Sequence, residues 1–331
     1  MADYLSAILV CLNPVNLILI IAMVSLGIVF GAIPGLSATL GIALLLPITF
    51  GLSTTTSFVL LLAIWIGGVS GTFISAVLIG IPGSSSAIAT CFDGYPMTKK
   101  GEAGKALGIG MTASFIGSVF SILLATVLSP IIANFALTLG PWEYFSLCFC
   151  AITLIASLSK GSIFKGLMAA GIGLLMGCVG SDPINGMGRF TFGNYNLYGG
   201  ISTVAQMLGM FAMCQIIRDN AKGSTKMPDC DVKNMKGLGV SFKDIFDNIK
   251  TILFAFFVGL WIGFLPGMGS GISNMVAYGY AKSISKEPET FGKGNPSGVW
   301  ASETANNASL GGALIPMMAL GIPGDGIKAM L

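Results

Sequence analysis

Gly27-Ile-Val-Phe-Gly31-Ala-Ile-Pro34-Gly35-Leu-Ser37 returns later in the chain as Gly259-Leu-Trp-Ile-Gly263-Phe-Leu-Pro266-Gly267-Met-Gly269, at an offset of 232. The stretch from Gly71 to Gly83, ending Leu78-Ile-Gly80-Ile-Pro82-Gly83, returns as Gly312 to Gly324, ending Leu320-Gly321-Ile-Pro323-Gly324, at an offset of 241. The nine-residue difference is an insert around Lys282 to Pro296. Self-similarity at a fixed offset marks a repeated structural unit. Each half therefore reads as an apolar hairpin tipped by Pro-Gly, followed by a long apolar helix broken at Ile-Pro-Gly.

The breaks have a physical cause. Proline removes a backbone donor and clashes with the preceding turn, and glycine admits positive φ. In lipid a broken helix survives only where protein or a water-filled cavity satisfies the freed backbone groups. Paired interruptions at matching positions of two halves point to a transporter site at the bilayer midplane. A helix that starts after such a break presents unpaired N–H groups and a partial positive charge, which suits an anion.

Composition agrees. Of 331 residues, 54% are hydrophobic and 9% charged, against about a quarter charged in soluble domains. The length accommodates about eight to ten membrane segments. Apolar segments fall at 15–33, 36–50, 55–80, 106–128, 142–158, 162–180, 201–217, 250–265, 268–281 and 301–322. The fold expected is an all-α polytopic transmembrane bundle with two internal repeats, inverted relative to each other, each with a re-entrant hairpin and a broken helix. Residues 1–105 form the first repeat, 106–217 four transmembrane helices, 218–250 a hydrophilic cytoplasmic loop and 251–331 the second repeat. Lys99, Lys100, Lys105, Lys160, Lys165 and the basic residues of 218–250 place their loops in the cytoplasm by the positive-inside rule. The first twenty residues carry Asp3 and no Lys or Arg, so the basic region of a cleaved signal peptide is missing.

Several chemistries are excluded. There is no histidine, which removes Ser-His-Asp triads and most zinc sites. The seven cysteines are an odd number with no CxxC pair, and read as small buried hydrophobes. Net charge is +3 without a basic run, which speaks against nucleic acid. No cofactor is expected apart from Na⁺ or H⁺ as a coupling ion.

The residues around the breaks are the candidate site. For substrate these are Pro34, Gly35, Ser37, Thr39, Gly83, Ser84, Ser85, Ser86, Thr90, Gly267, Ser270 and Asn274, with Ser273 beside them. Hydroxyls, amides and free backbone groups can hold a carboxylate and a desolvated cation, although hydroxyls also serve as interhelical hydrogen bonds. Glu303, Asn306 and Asn307 share one helix face at i, i+3 and i+4 and, with Asp325, are the ion-coupling candidates. Asn306 and Asn307 suit Na⁺; their alternative is a capping or rim role. Asp93-Gly-Tyr95-Pro96 before Lys99 and Lys100 reads as a cytoplasmic turn, with a gating or coupling role for Asp93 as the alternative. No Lys or Arg lies inside the expected spans, which favours a cotransported cation as the charge partner of an anion.

Three long stretches then carry a resemblance. Gly31-Ala-Ile-Pro34-Gly35-Leu-Ser37-Ala-Thr39 with Leu44-Leu-Leu-Pro47 is the first, and Ile81-Pro82-Gly83-Ser84-Ser85-Ser86 through Phe92-Asp93-Gly94-Tyr95-Pro96 the second. The third is Phe291-Gly-Lys293-Gly through Glu303-Thr-Ala-Asn306-Asn307-Ala with Gly311-Gly-Ala-Leu-Ile-Pro316. The chain resembles the large membrane subunit of the tripartite tricarboxylate transporters over essentially its whole length. The resemblance implies a multi-pass protein of the bacterial inner membrane, a small membrane subunit and a periplasmic solute-binding protein as partners, and ion-coupled import of carboxylates. Two departures stand out. Ser84-Ser85 occupies the place where such proteins commonly have Thr-Pro, which leaves the substrate open between citrate and another carboxylate, and the chain reads as truncated after its second Ile-Pro-Gly. An intramembrane enzyme using Asp93, Glu303 or Asp325, or an ion or anion channel, are the rival classes. Against the enzyme stand the absence of His and of any phosphate-cradling Gly-x-x-x-x-Gly-Lys loop.

Overall fold

The structure, a computed structural model, describes residues 2–143, 162–182, 186–201, 239–265 and 268–331, with isolated positions between 145 and 149 and between 205 and 221. The expected segments at 142–158 and 201–217 and most of 218–250 fall largely outside the described residues, as do Pro266 and Gly267 entirely.

The helices are α1 (Ala2–Leu12), α2 (Pro14–Ala32), α3 (Ala38–Thr49), α4 (Thr54–Leu78), α5 (Ile88–Lys99), α6 (Ala103–Ala136), α7 (Ile163–Gly177), α8 (Phe242–Asp247), α9 (Ile249–Phe264), α10 (Gly269–Ile284), α11 (Pro296–Leu320) and α12 (Gly326–Met330). A 3₁₀ turn at Ser85–Ala87 precedes α5. Among the described residues the sheet content is one short antiparallel pair, β1 (Gly180–Ser181) with β2 (Gly188–Arg189). Helix starts follow capping chemistry: Ser37 caps α3, Ser53 caps α4, and Asn295 caps α11 with Pro296 in the first turn.

Lipid is the solvent of this fold. Along α6, Phe115, Phe120, Leu123, Val127 and Ile131 are exposed while Gly108, Gly110, Ser114, Gly117, Ser118 and Ser121 are buried. Large apolar side chains outside and small or polar ones inside are the pattern of membrane helix packing. Helices α2, α4 and α6 are long and apolar enough to cross a membrane. The chain is a polytopic all-α membrane bundle.

At its centre stands α11, buried without interruption from Gly298 to Pro316 although it carries Ser302, Glu303, Thr304, Asn306, Asn307 and Ser309. It packs against α4, α5, α6, α9 and α10. Helix α4 runs antiparallel to it. Phe73 and Val77 near the end of α4 share a cluster with Val299 and Trp300 near the start of α11, and Ser70 bonds Asn307 midway. Leu61 and Ile64 in the first half of α4 share a second cluster with Leu310, Ala313 and Leu314.

Corresponding glycines of the two similar stretches make matching contacts. A methyl group at Gly27 would collide with the carbonyl oxygen of Ile64, and one at Gly259 with that of Ala305. Gly31 meets the carbonyl of Gly68 as Gly263 meets that of Ser309, and Gly71 meets that of Ile28 as Gly312 meets that of Leu260. Ile64 and Ala305, like Gly68 and Ser309, are 241 positions apart. Both long helices also end alike. Gly80 has φ 70° and Gly321 φ 67°, a left-handed conformation in which a side chain would be strained.

One expectation is corrected. Asp93-Gly-Tyr95-Pro96 does not form a surface turn; it lies inside α5, and Asp93 is fully buried. Its Oδ1 accepts the backbone N–H groups of Gly292 (2.9 Å), Gly294 (2.8 Å) and Asn295 (2.8 Å), just ahead of α11. Three N–H bonds at a helix start offset part of the buried charge through Oδ1, while Oδ2 is buried with no hydrogen-bond partner. The clasp also joins the end of α5 to the Lys-rich insert, so Lys99, Lys100, Lys282, Lys286 and Lys293 gather at one end of the bundle. Val240 and Ile245 pack on the cluster containing Ile252 and Trp300.

Candidate functional site

A cavity of about 650 Å³ opens beside the centre of α4, where Gly68, Val69 and Thr72 form its floor. That is within the size range of small-molecule sites. Further wall comes from Ser37 to Thr39 at the head of α3, Ser84 to Ser86 with Ile88, Met268 to Ile272 with Met275 and Val276 along α10, and Asp325 with Ile327. Residues flanking both Pro-Gly tips and both Ile-Pro-Gly breaks thus face one space.

The wall is built of hydroxyls already oriented by backbone. Ser84 Oγ accepts from the N–H of Ser86 and lies 2.7 Å from Ser86 Oγ, which in turn lies 3.3 Å from Thr72 Oγ1. Ser37 Oγ accepts from Leu40 N–H at 3.2 Å. A second-half residue pins the first-half turn: Asn274 Nδ2 donates to the carbonyl of Ser86, and Asn274 Oδ1 accepts from Ala89 N–H. Ser273 bonds the carbonyls of Ser270 and Ala305. Asp325 caps α12 by accepting from Lys328 N–H, and its Oδ2 lies 2.9 Å from Lys328 Nζ.

Behind this wall, and not on it, lies a buried polar network. Glu303 is fully buried. Thr90 Oγ1 donates to Glu303 Oε1, while Asn306 Nδ2 (3.2 Å), Asn307 Nδ2 (3.4 Å) and Ser114 Oγ (3.5 Å) surround Oε2. Asn307 Oδ1 accepts from Ser70 and Ser118, and its amide donates to Ser114 Oγ. Asn306 Oδ1 is buried with no hydrogen-bond partner. Four helices, α4, α5, α6 and α11, therefore contribute to the surroundings of one carboxyl group, and among the described residues no basic side chain bonds to it.

The residues expected from sequence thus separate into groups. Ser37, Thr39, Ser84, Ser85, Ser86, Ser270 and Asp325 line the cavity. Thr90, Asn274, Glu303, Asn306 and Asn307 are buried behind it, and Pro34 and Gly35 shape the turn before Ser37. Gly83 packs against the carbonyl of Gly31, and Gly267 lies outside the described residues. Sequence reasoning missed Ser70, Ser114 and Ser118, whose only signal was a small-residue face on each helix. It also missed Lys328, the one basic residue among the buried ones described.

Among the described residues no group of three His, Cys, Asp or Glu side chains gathers to hold a metal.

Comparison with known proteins gives a consistent picture. The model of the tripartite tricarboxylate transporter TctA family matches residues 17–331. A protein of Agrobacterium vitis described as an uncharacterized 52.8 kDa protein in the TAR-I ttuC' 3' region is 37% identical over 320 residues, 97% of this chain and 63% of that protein. A second A. vitis protein, from the TAR-II ttuC' 3' region, is 38% identical over 73 residues, 22% of this chain and 30% of its own length. The chain therefore spans about 63% of the length of the first of these relatives. No solved structure matches it.

Proposed function

The chain belongs to the tripartite tricarboxylate transporter TctA family, and from that premise we propose that it is the membrane-spanning part of a secondary active, ion-coupled importer of carboxylates. As a member of a transporter family it is not an enzyme. Its substrate would arrive from a periplasmic solute-binding protein, with a small membrane subunit completing the assembly. The observation that carries this reading is the cavity shared by both halves of the repeat, whose lining pairs serine hydroxyls with Asp325.

We read the two hairpins as re-entrant and the two halves as inverted. The return limbs α3 and α10 have 12 and 16 residues, about 18 and 24 Å of helix, against a hydrocarbon core of about 30 Å. Inversion is supported by the opposed directions of the equivalent helices α4 and α11. Two inverted halves around one cavity permit access from each side in turn.

The coupling ion, Na⁺ or H⁺, is assigned to Glu303 with Asn306 and Asn307. Support for Na⁺ comes from Asn306 Oδ1, a buried oxygen with no donor, beside the Glu303 carboxylate. Because Thr90 bonds Glu303 and follows the Ser84–Ser86 turn on the same segment, occupancy of Glu303 has a direct route to the cavity wall.

The test is counterflow in proteoliposomes holding the complete transporter. Exchange of labelled citrate or another carboxylate against internal substrate supports a carrier. Dissipation without exchange indicates a channel, and chemical alteration of the compound an enzyme; either result overturns the proposal.

A further inference from the structure

Among the described residues the cavity wall contains no basic side chain, yet a cation stands directly behind it. Lys328 lies in the chain just past the second Ile-Pro-Gly, and its side chain is 5% exposed. Its partner Asp325 is 42% exposed and lines the cavity, with Oδ2 2.9 Å from Lys328 Nζ. Asp325 is thus the only group of this pair presented to the open space.

A buried ammonium needs a compensating anion, because removal from water costs several kcal/mol. Asp325 supplies that anion from within the chain. It does so from the cavity side, so a carboxylate entering the cavity meets the same cation in competition with Asp325. The position is equivalent to Ser84 in the first half, 241 residues earlier, where a neutral hydroxyl caps the matching turn. The site therefore carries its charge on one side only: hydroxyls at Ser84 to Ser86, and the Asp325–Lys328 pair opposite.

We infer that Lys328 is the anion-binding cation of the cavity, and that Asp325 occupies it as an internal carboxylate which one carboxylate group of the ligand replaces. Lys328 then selects for an anionic over a neutral ligand, and Asp325 keeps the buried charge compensated when no ligand is present. The inference rests on the reading of this cavity as the carboxylate site.

The test replaces the internal carboxylate by an external one. Asp325→Ser keeps a capping oxygen for the Lys328 N–H but leaves Lys328 Nζ without its partner. The full chain in lipid nanodiscs is melted, with tryptophan fluorescence as the readout, against increasing sodium acetate, sodium chloride and formamide. Acetate should raise the melting temperature of Asp325→Ser saturably by about 2 °C or more, with chloride and formamide at equal concentration giving no saturable rise. The response should vanish in Asp325→Ser/Lys328→Gln and be weaker, needing more acetate, in the unaltered chain, where the added carboxylate has to displace Asp325. If Asp325→Ser does not accumulate, Asp325→Ala is used, and recovery of folded protein by acetate counts as the positive result. No response to acetate, an equal response to chloride, or an undiminished response without Lys328 overturns the inference. The assay needs no transport. A failed counterflow with positive acetate rescue removes the importer reading alone, and successful counterflow with no rescue removes Lys328 alone.

Discussion

Ser84 and Asp325 are equivalent residues, 241 positions apart, and both face the same cavity while capping the turn that follows an Ile-Pro-Gly break. One is neutral; the other is charged and paired with a buried lysine. A repeat that keeps its backbone geometry and changes the chemistry at one capping position produces a site with two unlike walls. Most of the expectations below follow from that arrangement.

Hydroxyl deletion comes first. Ser84→Ala and Ser85→Ala in the complete transporter should lower uptake roughly tenfold or more at normal surface expression, since a hydrogen bond to a charged group contributes about 1.5–3 kcal/mol. Asn306→Ala should also lose uptake. Uptake unchanged in all three would leave these residues as packing devices.

Glu303→Gln preserves shape and removes the charge. It should retain exchange of labelled carboxylate across the vesicle membrane yet lose accumulation driven by an ion gradient. Gradient-driven accumulation at the original level would show that coupling resides elsewhere.

Asn274→Ala tests the bond between halves. It leaves the buried Ser86 carbonyl and Ala89 N–H without their partner, a cost of about 1–3 kcal/mol each when unsatisfied. A clear drop in melting temperature is expected, with reduced uptake because the serine turn loses its anchor.

Equivalent glycines should fail equivalently. Gly31→Ala and Gly263→Ala each drive a methyl group into a carbonyl oxygen of the partnering long helix, and overpacking of this kind costs about 1–3 kcal/mol. Similar losses of thermal stability at both positions are expected; a loss at only one would break the equivalence.

Much of this fold was legible because Pro and Gly act locally. The tips, the breaks and the repeat offset followed from residue spacing alone, and the cavity-lining hydroxyls lie within a few residues of those breaks. What sequence could not supply was partnership over distance. Asp93 beside Gly94, Pro96 and two lysines has the composition of a surface turn, but its hydrogen-bond partners are 199 to 202 positions away. Thr90 sits close in sequence to the Ser84–Ser86 turn, and its hydroxyl bonds Glu303, 213 positions on. Lys328 carries no local sequence signal of burial; tertiary packing places it beside the cavity.

The central claim is that carboxylate passes through a cavity closed by both halves of the repeat. Gly271 and Ser85 meet across it: a Cβ at position 271 would lie 3.3 Å from that of Ser85, close to disulfide distance. The decisive measurement is carboxylate counterflow by the complete transporter bearing Ser85→Cys and Gly271→Cys, before and after oxidation. The account predicts lowered but measurable exchange in the reduced form, as for Ser85→Ala, its loss when the disulfide forms and its return to the reduced level on reduction. A disulfide that forms in full while exchange continues unchanged would contradict it.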